Sequence, residues 1–432
     1  MEEQFLDIKN ILATRCPFFE TRDDSAIHEV LSYLNECRVL VVGAGGLGCE
    51  ILKCLSLSGF RVITVIDMDT IDVSNLNRQF LFRDRDVGRP KAEVAAERIN
   101  QRFGHLGVNV HAKVGKIQDL DDGFYAGFDI VIAGLDNIPA RRWLNSILVS
   151  FIKHDSEGNV DPTSIRFLLD GGTEGFKGQA RVIIPTMTAC FECTLDTFPP
   201  VATYPLCTIA QTPRLPEHCI EYALTVLFEQ SFPDKAFNSD DQKDLDWLYE
   251  ASLARANAFN ISGVTKQLTK GVAKRIIPAV ASTNALIAAA LVNEAFKIAT
   301  YANPVMSNYF MYMGQTGINT QTIAYEKKED CVVCGNMSTA VPVLEIRKQD
   351  TLFSLIEKLG EDKQLRLTKP SLVNASTGRV IFMQHPPALR EQLEPRLTLS
   401  IESLLSSGDM SDTLIVTDPS LRNHISIKLK MI

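Results

Sequence analysis

VLVVGAGGLGCE, residues Val39–Glu50, sets the reading of this chain. Four large apolar residues read as a buried strand. Gly43, Gly45 and Gly48 follow in G-x-G-x-x-G spacing, and the residues after them read as a helix. Glycine lets the chain turn tightly and lets backbone N–H groups approach a phosphate, which a helix N-terminus favours. RVITVIDMD, Arg61–Asp69, is a second strand. It ends in Asp67 and Asp69, where a ribose-binding carboxylate is expected. On the glycines alone, a nicotinamide or flavin site of the dehydrogenase type fits as well.

Outward from this unit, strands and helices alternate. KAEVAAERINQRF (Lys91–Phe103) reads as a helix, NVHAKVG and FDIVIAGLDN as strands, ARRWLNSILVSFIKH as a helix, and RFLLDGGTEG and GQARVIIP as two more strands. This alternation predicts a mostly parallel, doubly wound α/β sheet. From about Pro199 to Ser262, prolines and then helix-like runs such as CIEYALTVLFEQ and DLDWLYEASLARANAF predict an inserted helical subdomain. The apolar helix Ile276–Phe296 and the strand NYFMYM then return to the first domain. After CVVCGNMSTAVP, strand candidates VPVLEIRKQ, GRVIFMQ, DTLIVTD and ISIKLKM enclose the amphipathic TLFSLIEKLG, with LSIESLLSSG a further helix candidate. That pattern predicts an α+β domain, ubiquitin-like in outline.

The composition agrees with several globular domains: 432 residues, 45% hydrophobic and 22% charged. A net charge of -8 argues against a nucleic-acid partner. The acidic start MEEQFLDIKN is no secretory signal, and Ile276–Phe296 holds too many polar residues for a membrane span. The ten cysteines are therefore expected to be reduced or metal-bound.

Beyond the second strand, DVSNLNRQFLFRDRDVGRPKAEVAAERIN places Asn77, Arg78, Gln79, Arg89 and Lys91. Arg78, Arg89 and Lys91 are more cations than a dinucleotide requires, and they suit a triphosphate. A solvated, charged loop is the plain alternative. Asp136, ending an apolar strand, lies where ligands bind at the carboxyl edge of such a sheet and could hold Mg²⁺. It could equally cap the next helix.

Cys190 and Cys193 form one C-x-x-C, and Cys331 and Cys334 another. Together they suit a closed, structural four-thiolate Zn²⁺ site clasping distant parts of the chain, against the alternative of a redox pair. Cys207 is different. It lies in TYPLCTIAQTPRLPEHC (Thr203–Cys219) between Pro205 and Pro213, a segment too rich in proline for regular structure. An accessible thiol there could attack an activated acyl group. Cys219, after His218, is the competing nucleophile, but it opens a helical run and a structural role is expected.

GAGGLG, DMDTIDVSNLNRQF, GRPKAEVAAE, the strand ending GLDN, DGGTEGFKGQARV, the two C-x-x-C pairs and PLCTIAQTP together resemble the activating enzymes of ubiquitin and ubiquitin-like proteins, from about Cys37 to Cys334. Within them, ARRW, DGGTEGFKG, PRLPEHCIEY and KRIIPAVASTNA are most similar to the smaller, catalytic subunits of neddylation activating enzymes. The resemblance implies a Rossmann-like adenylation domain with its zinc site (1–198 and 263–336), a catalytic-cysteine domain (199–262), and a ubiquitin-like domain that recruits the conjugating enzyme (337–432). It implies ATP on the glycine turn with Asp69 on the ribose, phosphates on Asn77, Arg78, Gln79 and Lys91, and Mg²⁺ organised by Asp136. The modifier's carboxylate would be adenylated, captured by Cys207 as a thioester, and passed to a conjugating enzyme. Arg181 would disfavour ubiquitin by opposing an arginine in its tail. Only one of the family's two adenylation-like halves is present, so a heterodimer with a second such subunit is implied, in the cytoplasm, the nucleus or both. Sulfur-carrier adenylyltransferases of the molybdopterin or thiamine type, and a non-catalytic scaffold subunit, are the alternatives. The former lack the insertion around the cysteine and the ubiquitin-like tail; Arg78, Lys91, Asp136 and Cys207 count against the latter.

Overall fold

The computed structural model describes residues 6–14, 22–198, 213–233, 235, 237–238, 241–273, 279–302, 307–335, 341–362, 364–405 and 413–432. Cys207 and its neighbours lie outside them. The chain divides into two units, Met1–Thr197 with Ala279–Ile432, and Phe198–Pro278.

The first unit is built on an eight-stranded sheet in the order β3-β2-β1-β4-β5-β6-β7-β8. The strands are β1 (Arg38–Val42), β2 (Val62–Asp67), β3 (Asn109–Val114), β4 (Ile130–Ala133), β5 (Phe167–Glu174), β6 (Lys177–Ile183), β7 (Tyr309–Met313) and β8 (Asn319–Ile323). Strands β3 to β5 run parallel. The remaining pairs are antiparallel, β5–β6 being a hairpin. The sheet is mostly parallel, as expected, and turns antiparallel from β5 onward: DGGTEG and KGQARV are too close in sequence for a parallel crossover, which needs a dozen or more residues. Val39, Leu40 and Val41 are wholly buried on both faces of β1, as a covered parallel strand requires.

Helix Ala281–Thr300 packs Ile287, Ala288, Leu291, Val292 and Ala295 into the same core as Ile51, Leu52 and Leu55 of helix Gly46–Leu57. It is a buried helix of a globular core. Among the described residues no helix is long and apolar enough to cross a membrane.

The C-terminal domain is a second, five-stranded sheet in the order β11-β10-β12-β13-β9. Its strands are β9 (Val343–Ile346), β10 (Ser371–Asn374), β11 (Val380–Phe382), β12 (Thr413–Thr417) and β13 (Ile425–Met431). Helix Leu352–Glu361 buries Leu352, Leu355 and Leu359 against it. Strand β10 has no counterpart in the sequence reading: SLVN is four residues long, too short to show alternation.

The second unit is helical: Pro216–Tyr222, Phe228–Ser231, Gln242–Ala258 and Lys266–Ala273. Cys219, Ile220, Ala223, Leu248, Ala256 and Val264 form its core, with Leu268 and Val272 packed on it. The unit thus runs past Ser262, because helix Lys266–Ala273 turns an apolar face to this core.

Candidate functional site

Strand β1 delivers the chain to Gly43, which adopts φ +98°. A Cβ at Gly48 would lie 1.9 Å from the Gly43 carbonyl oxygen, so the helix can start this close to the strand only without a side chain there. Gly45 is the N-cap of helix Gly46–Leu57 and offers no side chain to its free N–H groups. That end of the helix is therefore available to an anion.

Asp67 and Asp69 have separate jobs. Asp67 accepts from the amides of Ala44 (2.7 Å) and Asp69 (2.8 Å). Burial pushes its carboxyl up, and those two amides offset only part of that rise. It shapes the turn. Asp69 is half exposed and pairs at 2.8 Å with Lys91 Nζ, itself nearly buried at the start of helix Lys91–Phe103. The residues read as ribose acid and phosphate cation thus hold each other, and each offers a polar atom a ligand could claim.

Gln79 is 3% exposed and its Oε1 has no hydrogen-bond partner among the described residues. Its Nε2 is the nearest heavy atom, at 3.9 Å, to where a Cβ on Gly45 would stand. A buried, unsatisfied amide oxygen beside the glycine turn costs stability unless a ligand completes it. Arg78 donates to Ser74 O and Asn77 Oδ1, both at 3.0 Å, which keeps Asn77 and Arg78 side by side. Arg89 instead pairs with Glu97 (2.8 Å) and Asp86 (3.4 Å), a structural use.

Asp136 is exposed at the carboxyl end of β4. Asn137, not Asp136, caps helix Ile138–Ser150, accepting from Ala140 N at 2.9 Å. Asp136 accepts only from Asn137 Nδ2, at 3.1 Å, among the described residues. The capping alternative is thereby removed and the carboxylate remains open to a cation.

One residue at this site went unread in the sequence. Asn284, buried near the start of helix Ala281–Thr300, accepts from Thr173 Oγ1 at 2.6 Å. A Cβ on Gly46 would lie 2.4 Å from its Nδ2. Gly46 is glycine so that Asn284 can lie against the first helical turn. The contact joins positions more than two hundred residues apart, and no local pattern announces it.

The cysteine pairs come together. Cys190 Sγ lies 3.6 Å from Cys331 and 3.8 Å from Cys193, and Cys193 lies 3.4 Å from Cys334. All four ligand atoms fall within 4.8 Å of one another and all four residues are buried. Tetrahedral zinc with bonds of about 2.3 Å sets sulfurs about 3.8 Å apart, so the quartet is compatible with Zn²⁺ and leaves no open position. Lys328 N donates to Cys193 Sγ at 3.4 Å, as amides do to metal-bound thiolates.

Arg181 is an interior residue, 3% exposed. It donates to Thr194 Oγ1 (2.6 Å) and Gln179 Oε1 (3.0 Å), faces Asp170 at 3.4 Å, and lies over the rings of Phe191 and Tyr309. It lies in a run of β6 buried from Ala180 to Ile183, where a buried carboxylate compensates its charge. Cys219 is fully buried, and burial raises its thiol pKa, as suits a structural cysteine better than a nucleophile.

Residues 23–333 match the ThiF family and residues 345–431 match the E2 binding domain. The NEDD8-activating enzyme E1 catalytic subunit of Dictyostelium discoideum is 49% identical, covering 99% of this chain and 96% of that protein. Its counterpart in Drosophila melanogaster is 46% identical over 99% and 95%, and that in Caenorhabditis elegans 45% over 92% and 91%. The chain belongs to the NEDD8-activating enzyme E1 catalytic subunit family. It is accordingly an ATP-dependent activating enzyme of ubiquitin-like modifiers, with an adenylation fold and a ubiquitin-fold, E2-binding C-terminal domain. Membership sets aside the sulfur-carrier and scaffold alternatives.

Proposed function

We propose that this chain activates NEDD8 and hands it to a NEDD8-conjugating enzyme. The observation that supports this most is near-complete coverage, at close to half identity, of catalytic subunits carrying that name, with both domains in the same order. Gly43, Gly45 and Gly48 shape the phosphate-facing turn, Asp69 takes the ribose, and Asn77, Arg78, Gln79 and Lys91 take the phosphates. Lys91 leaves Asp69 for a phosphate when ATP arrives, and the Gln79 amide donates through Nε2 to a phosphate oxygen. Asp136 holds Mg²⁺. Bound ATP supplies an electrophilic α-phosphorus with pyrophosphate as leaving group. The modifier's C-terminal carboxylate oxygen bonds to that phosphorus as the bond to pyrophosphate breaks. Cys207 sulfur then bonds to the acyl carbon and AMP departs; the thiol proton is lost to solvent or to AMP. A cysteine of the conjugating enzyme takes the acyl group by thioester exchange.

In this reading the four cysteines hold a structural zinc, a second adenylation-like subunit completes a heterodimer, and the complex works in the cytoplasm, the nucleus or both. The domain roles follow, with residues Phe198–Pro278 as the catalytic-cysteine domain. Arg181 can select against ubiquitin only if the modifier's tail reaches an interior guanidinium that already has partners.

The test is a non-reducing gel. The chain, assembled with a candidate partner half, is given Mg-ATP and NEDD8, ubiquitin or other ubiquitin-like proteins. A thiol-sensitive adduct with NEDD8, lost in Cys207→Ala, is expected. Adduct formation with a different modifier alone would replace the substrate, and an adduct surviving in Cys207→Ala would replace the nucleophile.

A further inference from the structure

Asn284 is the fourth residue of helix Ala281–Thr300, its backbone N donating to Val280 O at 3.1 Å. It is 2% exposed. Asparagine is a poor helix former, and a buried amide costs stability unless both its ends are bonded. The oxygen end is bonded: Oδ1 accepts from Thr173 Oγ1 at 2.6 Å. The preceding residue, Thr283, donates through Oγ1 to the Gly175 carbonyl at 2.9 Å. Thr173 lies near the carboxyl end of β5 and Gly175 just past it, so both bonds pin the start of this helix to that strand end.

The nitrogen end is open. Nδ2 has no hydrogen-bond partner among the described residues, yet it is not sealed from solvent as Gln79 Oε1 is. With Oδ1 held by the hydroxyl, Nδ2 lies against the place where a Cβ on Gly46 would stand, at the first turn of helix Gly46–Leu57. Arg78 Cγ lies 3.5 Å from the same point, and Gln79 Nε2 lies 3.9 Å from the matching point on Gly45. An uncapped helix end, two primary amides and an arginine therefore meet at one place. An anion there would satisfy them together. Packing against Gly46 would need only the shape of Asn284, not its N–H groups.

We propose that Asn284 is a substrate-contacting residue of the adenylation step. Its Nδ2 donates to a non-bridging oxygen of the ATP phosphate seated on the end of helix Gly46–Leu57, and Thr173 is the positioning residue that turns the amide that way. This rests on the adenylation reading above. It also accounts for Gly46, since a Cβ there would take the place of the amide.

The test uses the assembled enzyme with NEDD8. Asn284→Asp keeps the size of the side chain and an oxygen for Thr173, but it offers no donor and repels a phosphate. The free N–H groups of the helix end offset the burial of the new carboxylate, so the variant should still fold. In Asn284→Ala, kcat/KM for ATP in NEDD8-dependent ATP–pyrophosphate exchange should fall about a hundredfold, the scale of losing one donor to transition-state charge. Asn284→Asp should lose more, and ATP should no longer raise its melting temperature as it does that of wild type. Thr173→Val, which frees the amide to turn, should show a smaller loss in the same direction. Wild-type exchange and a wild-type melting shift in Asn284→Asp would overturn the proposal and leave Asn284 as packing for Gly46. Should Asn284→Asp not fold, the decision passes to Thr173→Val, where unchanged exchange would overturn it. If wild type itself shows no NEDD8-dependent exchange, the functional reading fails instead, and the ATP-induced melting shift still decides the role of Asn284.

Discussion

The cysteine quartet and the glycine turn were built by opposite strategies. The quartet is closed: four buried sulfurs face one another across more than a hundred residues of chain, at spacings one ion would satisfy. The glycine turn is open among the described residues: its helix end has no side-chain cap, Gln79 keeps an unused oxygen, and Lys91 and Asp69 occupy each other. A structural site gains by being complete before anything arrives, because every unsatisfied buried group costs stability. A site that must bind and release gains by holding its groups in pairs a ligand can exchange.

The contrast can be broken most severely at the clasp. Zinc analysis should return one equivalent per chain, and Cys193→Ser should lose it. The variant should also melt many degrees lower, since structural zinc contributes on the order of 10 kcal/mol where a fold depends on it. Absence of zinc from the purified protein would end the contrast.

Arg181→Gln is next. With Asp170 left buried beside fewer compensating charges, urea unfolding should show a loss of about 3–5 kcal/mol. A variant of wild-type stability that instead accepts ubiquitin would show that the tail does reach this arginine. On the open site, Gly48→Ala forces a Cβ into the Gly43 carbonyl. It should cost about 1–3 kcal/mol, the scale of overpacking, and suppress ATP–pyrophosphate exchange.

The finest distinction lies between neighbours. Asn137→Ala removes a helix cap and should cost about 1 kcal/mol of stability. Asp136→Ala, exposed and not a cap, should change stability by no more than about 0.5 kcal/mol yet abolish exchange. Equal effects of the two on exchange would mean that loop shape, not the Asp136 carboxylate, matters.

The parallel half of the large sheet, the glycine turn, helix Lys91–Phe103, the helix and most strands of the C-terminal domain, and the identity of the four cysteines were all legible in the residues. Each is a local pattern: an apolar run, a spacing, an amphipathic face. The quartet needed only the recognition that two C-x-x-C pairs suit one ion.

What was not legible depends on neighbours distant in sequence. Asn284 explains Gly46 only once helix Ala281–Thr300 lies on helix Gly46–Leu57. Lys91 and Asp69 each look like a ligand group, and their pairing exists only in space. Arg181 reads as a polar residue on a strand, and burial between Asp170 and two aromatic rings is a property of the sheet. Helix Lys266–Ala273 joins the second unit because its apolar face finds Cys219, Ile220 and Leu248 there. The contact of Arg142 with Glu192 and with the carbonyls of Leu365 and Arg366 is likewise made by folding, between residues that no spacing connects. Short-range periodicity encodes elements, since backbone geometry repeats within a few residues. Which charge meets which carboxylate is settled by packing, where desolvation penalises every buried group that fails to find a partner.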